Sequence, residues 1–126
     1  MYPFLLVGVG GALGAMARFG LSGAIARLWP LSFPLGTLLI NIIGSTAMGL
    51  FVGLLARVLP TWADDARLFV AVGILGGFTT FSSFSLDTIV MIERGEWLLA
   101  GTYVLLSVVV CLIGLYLGLL VTRGVA

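Results

Sequence analysis

The sequence predicts an all-α integral membrane protein with four transmembrane helices, the third of which is broken near its middle. Hydrophobic residues make up 61% of the 126 residues and charged residues only 9%, whereas soluble domains carry about a quarter charged residues. Apolar runs recur along the chain, each long enough to cross the ~30 Å hydrocarbon core of a bilayer. A tryptophan lies within or at the end of each connection between runs, as is typical of membrane–water interfaces: Trp29, Trp62 and Trp97.

These runs predict a single transmembrane domain over residues 1–126, with helices at about 4–25, 35–55, 68–92 and 97–121. No positively charged segment precedes the first run, so we expect it to be retained as a span rather than cleaved as a signal peptide. The connections are short and two of them contain prolines, which favour helix ends. We expect no soluble domain besides the four helices.

The predicted break in the third helix rests on the segment GGFTTF. Gly76 and Gly77 are poor helix formers, and the β-branched Thr79 and Thr80 follow them directly. Unwound backbone at membrane depth is tolerated only when it is buried in protein or lines a water-filled space. The freed carbonyl groups of such a break are natural ligands for a cation.

The arginines predict how the protein assembles. With four spans, both termini and the second connection share one side of the membrane, which carries Arg57, Arg67 and Arg123, while the other side carries Arg27 and Arg94. Three against two is almost no bias, so the positive-inside rule gives little preference between the two orientations. We therefore predict a dual-topology antiparallel homodimer with its two-fold axis in the membrane plane. A weakly fixed single topology is the alternative.

Glycines predict close helix packing. Small residues let helix backbones approach each other in lipid. Of the 18 glycines, several recur at four-residue spacing within one run: Gly10 and Gly14, Gly49 and Gly53, Gly114 and Gly118.

Composition also excludes functions. The net charge of +1 offers no basic surface for nucleic acid, and with no histidine and only scattered carboxylates we expect no cluster of transition-metal ligands. The single cysteine, Cys111, is expected to be a small apolar helix residue.

Proton-coupled antiport is the alternative transport function, but Asp87 is the sole acid expected within the hydrocarbon region, and it lies late in its helix. A subunit that transports nothing is the third possibility.

Polar residues within the spans are the candidate functional residues, because each must face protein or water. They are Arg18, Asn41, Asp87 and Ser107. Each also has a structural interpretation. Asn41 would hydrogen-bond another helix, Arg18 would snorkel to the interface or pair with Asp87, and the Ser107 hydroxyl would bond to a carbonyl of its own helix.

Aromatic residues follow the predicted break. Phe81 and Phe84 are three residues apart and share a helix face, while Thr80, Ser83 and Asp87 lie on a neighbouring one. The edge of a phenyl ring carries positive charge density, so two such edges beside an asparagine amide would suit a small anion. The structural alternative is that both rings belong to the core and that the hydroxyls hydrogen-bond to carbonyls of their own helix.

Three motifs together resemble the Fluc (CrcB) family of fluoride channels: GVGGALGAMARFG in the first run, GTLLINIIG in the second and GGFTTFSSFS in the third. The resemblance covers nearly the whole chain in order, and the third motif is the most specific. It implies a dual-topology homodimer in the lipid of the bacterial inner membrane. Such a dimer has two antiparallel pores that export fluoride passively, with no enzymatic step.

The resemblance also implies roles for individual residues. Asn41 would face the fluoride ion, and Phe81 and Phe84 would line its path. Hydroxyl groups along the path would come from Thr80, Ser82, Ser83, Tyr103 and Ser107. The main-chain carbonyls of Gly76 and Thr79, from both subunits, would bind a structural Na⁺ at the centre of the dimer. Arg18 would attract anions to a vestibule.

The chain departs from the family pattern at a few positions. Asp87 stands where glutamate is usual, and Phe19 follows Arg18 where tyrosine is common. Cys111 comes one turn after Ser107, so the polar track on the fourth helix is expected to be weaker there.

Overall fold

The computed structural model describes residues 2–58 and 60–123. Within these residues lie four spans that are long and apolar enough to cross a membrane: Tyr2–Leu28, Leu35–Val58, Ala63–Glu93 and Trp97–Arg123. The predicted all-helical class and the number of spans are confirmed. Every span is longer than its predicted range, because helical hydrogen bonding continues beyond the apolar run into the interface.

The third span is divided and the other spans are continuous. The elements in chain order are α1 (Tyr2–Leu28), α2 (Leu35–Val58), α3 (Ala63–Ala66), a π-helical stretch (Arg67–Leu75), α4 (Gly76–Phe78), α5 (Phe81–Glu93) and α6 (Trp97–Arg123). The span begins before its apolar run because Asp64 and Asp65 lie in the first turn of α3, where carboxylates complement the helix dipole.

The predicted break lies at the two threonines. Thr79 (φ −82°, ψ 159°) and Thr80 (φ −151°, ψ 116°) are both extended, whereas Gly76 and Gly77 before them remain helical in α4. Glycine costs a helix conformational entropy but keeps its geometry accessible, and the β-branched pair is better suited to extended backbone. The third span therefore consists of a first half, residues 63–78, and a second half, α5.

A tight turn connects α5 to α6. Gly95 has a φ of 81°, which glycine adopts without steric cost. Its amide donates to the carbonyl of Ile92 at 2.9 Å, and the amide of Glu96 donates to the carbonyl of Met91 at 2.9 Å. These two bonds satisfy carbonyls in the last turn of α5 and so end that helix. The next helix, α6, begins at Trp97, directly after Glu96.

The first half of the third span packs against α1 with backbone touching backbone. A Cβ atom added at Gly14 would meet the carbonyl of Ile74 and the amide of Phe78, and one added at Gly10 would meet the backbone of Gly73. Contacting positions increase together along both elements, so the two run in the same direction. The predicted close approach of Gly10 and Gly14 is confirmed.

The second close pair is α2 with α6. A Cβ added at Gly49 would meet the carbonyl of Leu115, and one added at Gly118 would meet the backbone of Thr46 and Leu50. Gly53 lies equally close to Thr122 farther along both helices, so α2 and α6 also run in the same direction. Two parallel helix pairs therefore form the framework of the subunit.

The well-buried core lies between α2, α5 and α6. It contains Leu38, Met91, Ala100 and Tyr103, of which Tyr103 and Met91 have almost no exposed surface. Phe33 and Phe84 pack around Tyr103. Large apolar side chains elsewhere are exposed on the outer faces of every span, as expected of a subunit surrounded by lipid or by another copy of itself.

Candidate functional site

The break in the third span is held open by Asn41 of α2. The Asn41 Nδ2 group donates to the carbonyl oxygen of Thr80 at 3.0 Å, and the Thr80 amide donates to Asn41 Oδ1 at 2.8 Å. One side chain thereby satisfies both backbone groups of an extended residue at membrane depth, where unpaired groups are costly. The expectation that Asn41 hydrogen-bonds another helix is confirmed, because Asn41 lies on α2 and Thr80 lies in the third span.

The threonine hydroxyls at the break also bond to backbone. Thr80 Oγ1 accepts from the amide of Ser83 at 3.1 Å and caps the start of α5, as hydroxyls at this position commonly do. Thr79 Oγ1 donates to the carbonyl of Leu75 at 3.0 Å. Of the two predicted serines, Ser82 is exposed and lies 3.3 Å from Thr80 Oγ1, and Ser83 is half-buried.

These contacts divert two amide groups from their usual acceptors. In an unbroken helix the Thr80 amide would bond to the carbonyl of Gly76, and the Ser83 amide would bond to that of Thr79. Instead the two amides donate to Asn41 and to the Thr80 hydroxyl. Among the described residues, no other donor to the Gly76 or Thr79 carbonyl replaces them.

Arg18 lies at the end of the first half of the third span. Its Nε donates to the carbonyl of Gly77 at 3.1 Å, so this side chain ties α1 to the break. The alternative pairing with Asp87 does not occur. Asp87 Oδ2 instead accepts from the hydroxyl of Tyr103 at 3.1 Å, which gives this carboxylate its contact on α6.

An open cavity of about 400 Å³ lies beside the break, between α2, the third span and α6. Five of the predicted pore residues line it: Asn41, Thr80, Phe81, Phe84 and Ser107. Also lining it are Gly44, Ser45, Met48, Thr79, Val108, Cys111, Leu112 and Leu115. The cavity therefore combines amide and hydroxyl groups with an apolar wall, and none of these lining residues carries a formal charge.

Phe81 and Phe84 lie side by side in the wall of the cavity. Their ring centroids are 5.4 Å apart and the rings are tilted by 46°. Phe84 is fixed from behind by Tyr103, whose ring centroid lies 5.2 Å away, and Tyr103 in turn meets Phe33 edge to face at 5.5 Å. Phe81 is 77% exposed and has no such support within the described residues of the subunit.

Polar residues on α6 divide between the cavity and the wall behind it. Tyr103 is fully buried and positions Phe84 and Asp87 rather than lining the cavity. Ser107 lines the cavity, is only 7% exposed, and its Oγ atom has no hydrogen-bond partner among the described residues. A buried hydroxyl without a partner is unusual and marks a position where a ligand would be favoured.

Ser45 is a cavity residue that the sequence analysis did not single out. It lies one helical turn after Asn41, and residues four apart share a helix face. That spacing is the signal that would have identified it. Ser82, Ser83 and Tyr103 were predicted for the same ion path, but the structure does not place them on this cavity.

Comparisons with known proteins cover almost the whole chain. A family model described as CrcB-like protein, Camphor Resistance (CrcB), matches residues 5–119. A relative named fluoride-specific ion channel FluC, from Hyphomonas neptunium, is 47% identical over 125 residues, which are 99% of this chain and 98% of the relative. A relative named fluoride-specific ion channel FluC 2, from Nitrobacter hamburgensis, is 50% identical over 95% of this chain and 96% of its own length. A third, also named fluoride-specific ion channel FluC, from Sphingopyxis alaskensis, is 52% identical over 91% of this chain and 90% of the relative.

Proposed function

This chain belongs to the CrcB-like family, and from that premise we propose that it is a fluoride channel, a transporter rather than an enzyme. With four spans it is a multi-pass membrane protein, and the bacterial inner membrane is its proposed location. Flow follows the electrochemical gradient of fluoride, so the channel exports the ion whenever fluoride accumulates inside the cell.

The observation that carries this proposal is the uncharged donor set around one cavity. Asn41, Phe81, Phe84 and Ser107 come from three elements and meet there. A fixed positive charge would bind fluoride tightly and slow its release, whereas neutral donors replace part of the hydration shell and still let the ion leave. Such a site is suited to passive permeation.

Each of these four residues has a positively polarised group left for an ion. An asparagine amide carries two hydrogens, and only one hydrogen of Asn41 is used on Thr80. The Ser107 hydroxyl has no protein partner among the described residues and is free to donate. Phe81 and Phe84 offer ring edges of positive charge density. Fluoride would pass from ring edges to amide to hydroxyl, and each contact would compensate for lost water.

Arg18 is proposed to act at the entrance. One guanidinium N–H binds the carbonyl of Gly77, and a guanidinium has further donors and a permanent charge. This charge would raise the local concentration of anions before they lose water. The proton-coupled antiporter alternative is not supported by the named relatives. The carboxylate of Asp87 accepts from Tyr103 and does not line the cavity.

The functional unit is proposed to be an antiparallel homodimer with two pores. The cavity is open, and Phe81, which lines it, is exposed. A second subunit related by a two-fold axis in the membrane plane would close each cavity and shield this ring. The near-equal distribution of arginines supports insertion in both orientations. The exposed Ser82 and the half-buried Ser83 would then line the path together with the Thr80 hydroxyl.

A structural Na⁺ is proposed at the dimer centre. The carbonyls of Gly76 and Thr79 have lost their helical donors, and neutral oxygen ligands suit a hard cation of low charge. A pair of carbonyls from each subunit would give four ligands without a carboxylate. The described residues contain no cluster of acidic or histidine side chains that would favour a divalent metal instead.

Liposomes containing the purified protein test this function. We expect fluoride efflux when a potassium ionophore dissipates the membrane potential, with no applied pH gradient, and much slower movement of chloride. A fluoride electrode records the efflux. Efflux that depends on a pH gradient would favour the antiporter, and the absence of any flux from folded protein would contradict the channel.

A further inference from the structure

Two sulfur-containing side chains line the proposed fluoride cavity. Met48 comes from α2, and Cys111, the single cysteine of the chain, comes from α6. Cys111 is partly exposed rather than sealed in the core. Thiolate and thioether groups are soft ligands that select soft cations such as Cu⁺ over hard ones. Methionine is also flexible enough to adapt its sulfur to a bound ion.

Hydroxyl groups next to Cys111 point to a ligand independently of the sulfur atoms. Ser107 lies one turn before Cys111, is 7% exposed, and has a buried Oγ without a partner among the described residues. Ser45, on α2, lies beside the thiol of Cys111. Both serines line the cavity and carry lone pairs that would complete the coordination of a cation or of its bound water.

The charge balance of this cavity selects a monovalent ion. The lining residues carry no formal charge. When a monovalent cation replaces the thiol proton, one Sγ–H bond breaks, one sulfur–metal bond forms, and the proton leaves to water. The net charge is unchanged. A divalent ion would leave one uncompensated positive charge in apolar surroundings, which is costly.

We propose that Cys111 and Met48 form a binding site for a soft monovalent cation, Ag⁺ or Cu⁺, inside the fluoride cavity, and that occupancy of this site blocks fluoride flow. Binding depends only on the sulfur and hydroxyl groups of the cavity. The block also rests on the proposed function, because it requires that the cavity is the route of the ion.

Binding is tested on purified protein in detergent, with Ag⁺ in nitrate buffer. We expect one Ag⁺ per chain by elemental analysis, and protection of Cys111 from maleimide labelling at micromolar Ag⁺. Zn²⁺ at the same concentration should give no protection. Cys111→Ser should abolish Ag⁺ binding. Met48→Leu should weaken the apparent affinity by about tenfold or more, as loss of a supporting metal contact commonly does.

The matched control is Met16→Leu. Met16 is 63% exposed on the outer face of α1, away from the cavity, so this variant should bind Ag⁺ like the unmodified protein. Equal Ag⁺ affinity in the Met48→Leu and Met16→Leu variants would overturn the two-sulfur site. Protection by Zn²⁺ as strong as that by Ag⁺ would overturn the selection of a soft monovalent ion.

Block is tested in liposomes, with each variant measured against its own flux without Ag⁺. We expect micromolar Ag⁺ to reduce fluoride efflux at least tenfold in the unmodified protein and in Met16→Leu, but not in Cys111→Ser. Binding without any loss of flux would overturn the block and leave the proposed channel intact. Absent flux before Ag⁺ is added would contradict the proposed function, while the detergent experiment would still decide the metal site.

Discussion

At the residue scale, Asn41 combines a structural contact with a proposed role in transport. Its amide satisfies both backbone groups of Thr80, and its remaining N–H is directed to the ion in the proposed mechanism. Phe81 is its counterpart among the aromatic residues. It is exposed and unsupported within the described subunit, while Phe84 is locked against Tyr103. Substitutions at Asn41 and Phe81 should therefore have different consequences.

Replacing Phe81 should abolish transport without destabilising the fold. Phe81→Ile removes the positive ring edge but keeps an apolar side chain, which has little packing to lose within its own subunit and still offers an apolar surface to the second one. We expect fluoride efflux from liposomes to fall at least tenfold while the elution volume in size-exclusion chromatography is unchanged. Phe19→Ile is the matched control, since Phe19 is 82% exposed on α1. Equal flux in both variants would refute the role of Phe81 in the pore.

Replacing Asn41 should affect stability as well as flux. Asn41→Ala leaves the part-buried Thr80 amide without its acceptor and removes one donor from the Thr80 carbonyl, and an unpaired amide typically costs about 1–3 kcal/mol. We expect a lower melting temperature in detergent together with loss of efflux.

Ser45→Ala provides the comparison for Asn41→Ala. Ser45 lines the same cavity one turn away and forms no bond to the break. Its replacement should reduce flux and leave the melting temperature nearly unchanged. If Asn41→Ala melted at the same temperature as Ser45→Ala, the structural role of the amide would be wrong.

At the element scale, the glycine contacts determine how closely the helices approach. Gly14→Ala places a methyl group on the backbone of Ile74 and Phe78, which cannot move aside as a side chain would. Overpacking of this kind costs about 1–3 kcal/mol. We expect a lower melting temperature and a smaller yield of folded protein.

The control for Gly14→Ala lies on the same helix. A Cβ at Gly20 has no neighbour within 4 Å, so Gly20→Ala should be neutral or slightly stabilising, because alanine is the better helix former. Thermal unfolding of the two variants side by side decides the matter. Similar melting temperatures would mean that the α1 contact is looser than described.

The sequence predicted these elements because their signals are local. Run length predicts spans, and four-residue glycine spacing predicted the close faces at Gly10, Gly14 and Gly118. The break was predicted near its actual place because the threonine pair follows the glycines directly. Helix ends were predicted less well, since hydrophobicity reports the membrane core and not the extent of backbone hydrogen bonding.

Local sequence signals could not predict which residues on different helices hydrogen-bond to each other. The contacts of Asn41 with Thr80 and of Tyr103 with Asp87 join different helices, and periodicity along one helix carries no information about the other. Arg18 illustrates the difficulty. Snorkelling and a carboxylate partner were both reasonable expectations, yet its Nε bonds to a carbonyl that exists as an acceptor only because the helix ends there. The family resemblance supplied the fluoride path, which physical reasoning left as one of two interpretations.

At the scale of the whole molecule, the proposed dimer depends on insertion in both orientations. Arg27→Ala with Arg94→Ala leaves all remaining loop arginines on one side, and substitution of Arg57, Arg67 and Arg123 leaves them on the other. We expect each set alone to fix one orientation and to lose fluoride efflux. Co-expression should restore efflux, because oppositely inserted subunits can then pair. Full activity of either set alone would contradict dual topology.

Sodium should stabilise the same assembly. If the carbonyls of Gly76 and Thr79 bind Na⁺ across the dimer, exchange of Na⁺ for N-methylglucamine should lower the melting temperature of the dimer. At a concentration of about 100 times Kd, the stabilisation is about 2.7 kcal/mol. K⁺ is the matched monovalent control, because a larger ion suits the same carbonyls less well. Identical melting curves in all three salts would remove Na⁺ from the proposal.

The division of the third span has a mechanical consequence. Its first half packs against α1 through glycine backbone contacts, and α5 is fastened to α6 by the ring of Phe84 and the carboxylate of Asp87. The two halves therefore move with different neighbours. Sliding of one helix pair past the other would strain the extended residues Thr79 and Thr80 and the contacts of Asn41 with Thr80. Lateral or thickness stress in the bilayer would thus act on residues that line the cavity proposed as the permeation route.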